Sequence, residues 1–127
     1  MDFIHSHKEL KVYQQAYQGA KEIHAITLNY PKEEKYSLSD QVRRSSRSVC
    51  ANIAEAFRKR RYPKAFVSKL SDAEAEAAET QFWIDFSLDC DYLNKEQHYN
   101  LYDKYEHILS QLVIMINASD KWTIKKS

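Results

Sequence analysis

Apolar residues recur along this chain at steps of three and four, the spacing that brings side chains to one face of an α-helix. Val12, Ala16, Ala20, Ile23 and Thr27 form one series, flanked by Tyr13, Tyr17 and His24. Val42, Ser46, Val49, Ile53 and Phe57 form a second, with small residues beside it that let another backbone approach. The third, Phe66, Leu70, Ala73, Ala77, Thr80, Ile84 and Leu88, is the longest. Leu101, Tyr105, Ile108, Leu112 and Met115 form a fourth, with Tyr102, Leu109 and Ile116 alongside. The punctuation between the series fits helix ends. Ser6 and Glu9 have capping-box spacing, Pro31 stops the first helix, and Ser37 or Ser39 opens the second. Pro63 suits a first helical position and Asn94 an N-cap. The pattern predicts helices over about 8–29, 38–57, 63–89 and 94–118, with a frayed tail WTIKKS.

The linkers are short to medium, so consecutive helices are expected to be antiparallel neighbours. The expected fold class is all-α: an antiparallel up-down-up-down four-helix bundle in a single domain, residues 1–127. Composition agrees. One glycine and two prolines in 127 residues are too few turn residues for a β-rich domain. The apolar arcs of the first and fourth helices are each about 160° wide, broader than one bundle stripe needs. That surplus predicts self-association into a cyclic homo-oligomer.

Charge narrows the possible partners. Charged residues are 29% of the chain, yet the formal net charge is only +1, so the protein as a whole is not a polycation. No apolar run approaches the roughly 20 residues of a membrane span, and the first ten residues, MDFIHSHKEL, do not read as a signal peptide. The expectation is a cytoplasmic protein without a membrane partner. Cys50 and Cys90 are not a CxxC pair and are expected to be buried thiols.

The cations cluster in SDQVRRSSRSVCANIAEAFRKRR, residues 39–61. On a helical wheel Arg43, Arg47 and Arg58 lie beside the apolar seam, with Arg44 on another side near Glu55. The third helix is their natural counterweight. It carries Asp72, Glu74, Glu76, Glu79, Asp85, Asp89 and Asp91 without an intervening cation, and Asp72, Glu76 and Glu79 share a face that Trp83 continues. Two readings stand for Arg43 and Arg47: ion pairs with such carboxylates, within or between subunits, or contact with phosphates. Arg58, Lys59, Arg60 and Arg61 are a separate group at a helix C-terminus. They read either as a charged helix end, favoured by the helix dipole, or as a phosphate-binding patch.

Catalytic patterns are weak. The lone Gly19 rules out a Gly-rich phosphate loop, and neither HExxH nor the ExxH pair of di-iron bundles occurs. Asp103 and His107 have the spacing of a shared metal pair, but without partners they read as surface polar residues. His5 and His7 are expected to be flexible. Cys50 lies in an apolar seam without a neighbouring histidine in sequence, which argues against a nucleophile. The nine tyrosines read mainly as packing residues. No enzymatic activity, cofactor, metal or small-molecule substrate is expected.

The blocks LKVYQQAYQGAKEIHAIT, YPKEEKYSLSDQVRRSSRSVCANIAEAFRKR and FVSKLSDAEAEAAETQFWIDFSLDCDYL, in this order, resemble the family of 23S ribosomal RNA intervening-sequence proteins, over about residues 8–117. The most specific block is QVRRSSRSVCANIAEA, residues 41–56. By that match Arg43, Arg44, Ser48, Asn52 and Glu55 are signature polar positions, with Arg47 grouped with them as an assembly residue. Ala56 stands where members commonly have glycine. Glu76, Glu79, Thr80, Gln81 and Trp83 match the run of the third helix. The resemblance implies a four-helix bundle assembled into a ring of five subunits, without attached enzymatic activity. It also implies a related accessory protein of retroelements that binds nucleic acid. The leading expectation is a non-catalytic scaffold binding structured RNA or DNA through its basic patches. The alternative is an interaction and assembly module without nucleic-acid binding.

Overall fold

In a computed structural model, residues 4–124 are described. Four long helices account for the four apolar series: α1 (Lys11–Thr27), α2 (Leu38–Arg58), α3 (Pro63–Asp89) and α4 (Lys95–Asn117), followed by a single turn, α5 (Ser119–Trp122). Among the described residues there is no strand. Each of α1 and α3 packs against both α2 and α4, while the diagonal pairs have no Cα atoms within 8 Å. This is the antiparallel four-helix bundle.

Local chemistry explains the helix ends, and in two places corrects the expected ones. The Ser6–Glu9 capping box forms, but it caps a separate 3-10 turn, His7–Glu9. Leu10 is extended, so α1 begins only at Lys11. At the other end of the chain, Trp122 closes α5 and the Ile124 N–H donates to the Arg60 carbonyl at 2.9 Å. The first part of the tail is therefore tied to the bundle; residues 125–127 lie outside the described residues. Asn94 caps α4 as expected, its side chain accepting from the Gln97 N–H while Gln97 reaches back to the Asn94 N–H. Pro63 occupies the first turn of α3.

The core follows the four stripes. Ala16, Ile23, Val49, Ile53, Leu70, Ile84, Ile108 and Leu112 are all essentially sealed from solvent. Burial of each large aliphatic chain contributes about 1.5–3 kcal/mol before entropic costs. Two positions depart from the expected seams: in α1 Gly19 is buried and Ala20 only half-buried, and at the end of α3 Ser87 is buried and Leu88 only half-buried. Glycine has a structural role in α1. A Cβ on Gly19 would stand 2.8 Å from the Tyr105 hydroxyl, so the absent side chain lets the α4 tyrosine reach α1.

Candidate nucleic-acid interface

The sequence places seven cations between residues 43 and 61, and the fold divides them sharply. Arg44 leaves α2 toward α3. It donates to Glu76 at 2.7 Å and to Glu79, whose carboxylate also accepts from the Trp83 indole at 3.0 Å. Part burial works to raise the Glu79 pKa, but the bonds from Trp83 and Arg44 outweigh it and hold the carboxyl below its ordinary value. The hydrogen bonds that Arg44 donates, first to Glu76 and then to Glu79, raise its own pKa further. Beneath this network the Ser45 and Thr80 hydroxyls meet at 2.8 Å, fully buried.

Within the chain it is therefore Arg44, not Arg43 or Arg47, that meets the α3 acids. Arg43 points to α1 instead, where its Nε donates to the Thr27 hydroxyl at 2.7 Å and its Nη2 approaches the His24 carbonyl at 3.5 Å. Arg47 is exposed and lies 3.3 Å from the His24 ring. Glu55, expected beside Arg44, pairs with Lys69 at 3.0 Å. Asn52 reaches one turn back, donating to the Ser48 carbonyl and hydroxyl at 2.9 and 3.1 Å.

The second group behaves differently. Helix α2 ends at Arg58, and the chain turns through Lys59–Tyr62 into α3. Arg58, Lys59 and Arg61 are exposed, and none forms an ion pair with an acid among the described residues. Arg60 is held inward. Its guanidinium lies over the buried Phe57 ring, 3.8 Å from the centroid, and its Nε donates to the Phe57 carbonyl at 2.9 Å. Burial, then the Arg58 charge, draws the Arg60 pKa downward. The ring under Arg60 follows from Phe57 and Arg60 being three apart, a spacing visible in the sequence.

Antiparallel topology concentrates like charges at the two ends of the bundle. The end carrying residues 58–61 also carries Lys8, Lys11, Lys64 and Lys121, against Glu9 and Asp120. The opposite end carries Glu33, Glu34, Asp40, Asp89, Asp91 and Glu96, against Lys32, Lys35 and Lys95. A net charge of +1 thus conceals a basic end and an acidic end.

The other candidate chemistry falls into ordinary surroundings. Burial pushes the Cys50 thiol up to about 11, and Cys90 is a half-buried free thiol. Asp103 and His107 stand 3.4 Å apart on exposed turns of α4. Among the described residues, His, Cys, Asp and Glu form no group of three or more that could hold a metal. His7 is placed, packed edge-on to Tyr13 at 4.7 Å between centroids, rather than loose as expected. The backbone N–H of His5 donates to Glu9 at 2.7 Å. No helix among the described residues is long and apolar enough to cross a membrane.

These features define an antiparallel helical bundle with an ion-paired seam along α2 and α3 and a basic end. Residues 8–113 match the family described as 23S rRNA-intervening sequence protein, and the chain belongs to that family. A solved structure is similar: a protein of unknown function from the S23 ribosomal protein family of Bacteroides thetaiotaomicron. The two share 25% identity with a TM-score of 0.74, over 84% of this chain and 95% of the other. No curated protein matches.

Proposed function

We propose that this protein is a non-catalytic, ring-forming scaffold of the cytoplasm that binds structured RNA or DNA through its basic end. The observation that carries the nucleic-acid part is the contrast between the two cation groups. Arg44 meets α3 carboxylates, while Arg58, Lys59 and Arg61 stand in solvent without acid partners among the described residues. A turn of unneutralised cations at the basic end suits a phosphate backbone. Arg60 supports that turn through Phe57. Five subunits are favoured by the family resemblance, and a ring would repeat the patch around its rim.

Filter binding to structured RNA and to duplex DNA over a range of salt tests this reading. Each phosphate neutralised contributes about 0.9 to the slope of log affinity against log salt on duplex DNA. The triple replacement of Arg58, Lys59 and Arg61 by serine should flatten that slope by up to about 2–3 per engaged subunit, with helicity unchanged. Wild-type protein without salt-dependent binding to any nucleic acid overturns the reading and leaves the assembly module.

A further inference from the structure

Helix α3 is apolar on two opposite sides. Its inward side is the core stripe. On its outward side Ala75, Ala78, Phe82 and Phe86 follow one another at steps of three, four and four, and all four are exposed. Phe82 and Phe86 retain 53% and 47% of their accessible surface, and their rings cluster with Trp83. Asp72, Asp85 and Asp89 flank this stripe, all exposed, and Asp85 also meets the His98 ring at 2.7 Å.

A complementary surface lies elsewhere on the bundle. Between α1 and α2 runs an apolar groove of about 480 Å³. Tyr13 and Tyr17 form one wall, and Ala20, Ala51 and Ala54 leave room for a helix to approach. Its rim carries the cations Lys21 and Arg47 together with His24; no acid lines it. Thus an acid-flanked apolar helix face and a cation-rimmed apolar groove occur on one molecule. Because α3 lies diagonally across the bundle from α1, a chain cannot fill its own groove with its own stripe.

We propose that the outward stripe of α3 docks in the α1–α2 groove of a second copy of this chain. The contact is head-to-tail, so each copy keeps one unused face, and the arrangement closes into a ring or extends as a filament. This rests on the assembly part of the function proposed above and adds which surfaces meet. The charges set the direction: the acids beside Phe82 and Phe86 face Arg47 and Lys21 of the next copy, while two stripes or two grooves would repel.

Two surface variants provide the test. Phe82→Lys removes a ring and puts a cation against the cationic groove. Ala54→Glu puts bulk and negative charge where the acid-flanked stripe would sit. Light scattering at micromolar concentration should return an oligomer for the wild type and a monomer for each variant, with helical circular dichroism retained. Mixing the two variants should give a one-to-one dimer that grows no further, because one intact stripe meets one intact groove. A monomeric wild type overturns both this contact and the assembly reading. An oligomeric wild type with unaffected variants overturns the contact alone, whatever else occupies the groove. Monomeric variants that fail to pair on mixing also overturn it.

Discussion

The seam between α2 and α3 and the seam between α1 and α4 solve the same packing problem with opposite materials. Between α2 and α3 polar atoms meet in pairs. Ser45 bonds Thr80, Arg44 reaches Glu76 and Glu79, and Glu55 takes Lys69. Between α1 and α4 the main device is a wedge: Tyr105 drives its ring against Gly19. Its hydroxyl is buried without a hydrogen-bond partner among the described residues. Burial raises the pKa of that phenol, so it stays neutral. Partners surround this seam at its edges, Lys104 with Glu22 and Gln111 with Gln15, but not at its centre. Paired polar atoms fix register, whereas a wedge fixes only distance. The register-fixed seam is also the one whose connecting turn carries Arg58–Arg61 and whose outer side carries the Phe82 stripe.

The largest effect should come from crowding the wedge. In Gly19→Ala the new methyl would stand 2.8 Å from the Tyr105 oxygen and 3.1 Å from two ring carbons. Overpacking of this kind costs about 1–3 kcal/mol. The intrinsic preference of alanine for helix interiors returns up to about 1 kcal/mol of it. Thermal denaturation should show a net fall in Tm of several degrees. An unchanged or raised Tm would mean that Tyr105 moves aside freely, and the wedge would then not set the α1–α4 distance.

The charged seam should yield next. Arg44→Ala removes the cation between Glu76 and Glu79 and leaves the two carboxylates close together. Because the Arg44 side chain is 45% exposed, the expected loss is about 1 kcal/mol rather than the full value of a buried pair. Glu79 supplies the pH signature. Its folded pKa lies below the ordinary 4.5, so its contribution is present above that value and is lost as pH falls through the folded value. Stability of the wild type should decline through this acid window, and Arg44→Ala should decline less. Arg43→Ala, which deletes bonds to a hydroxyl and a carbonyl, should cost less than Arg44→Ala at neutral pH. The reverse order by urea denaturation would sink the assignment of the seam to Arg44.

Thr80→Val tests the hydroxyl pair inside the same seam. The shapes match, but Ser45 loses one partner and keeps only its own-helix bond to the Val42 carbonyl at 3.3 Å. The expected cost is about 1 kcal/mol. A stabilised variant would show that packing alone holds α2 on α3.

How much of this was legible in the sequence differs between the seams for a physical reason. The four stripes and nearly all of the helix limits follow from periodicity and caps, which are local. The acids Glu76 and Glu79 and the ring of Trp83 could be placed on one face of α3 for the same reason. Which arginine meets them depends on the rotation of α2 against α3, and a turn of 100° per residue makes neighbours Arg43 and Arg44 face different helices. The surplus apolar arc was expected on α1 and α4. On α1 it is present as the Tyr13–Tyr17 wall of the groove, but the outward stripe of α3 was hidden, because Ala75 and Ala78 read as ordinary helix formers among acids. The Gly19–Tyr105 contact joins residues on the first and last long helices, and only the fold brings them together.

The smallest expected effect has the opposite sign, and it separates the two seams most directly. Tyr105→Phe removes a buried hydroxyl that has no hydrogen-bond partner among the described residues, while leaving the ring that fills the core. A buried oxygen without a partner forfeits its bonds to water and gains nothing in return. The variant should therefore be more stable than the wild type, by up to about 1 kcal/mol, where Thr80→Val in the paired seam is less stable. It should also soften Gly19→Ala, because the nearest atom to the added methyl is the oxygen that has been removed. The ring carbons at 3.1 Å remain, so the relief should be partial, and the double variant should fall between Gly19→Ala and wild type. Urea denaturation of the four proteins gives the coupling energy. A destabilised Tyr105→Phe would show that the hydroxyl has a partner in solution, a trapped water being the simplest, and the α1–α4 seam would then be paired like its counterpart.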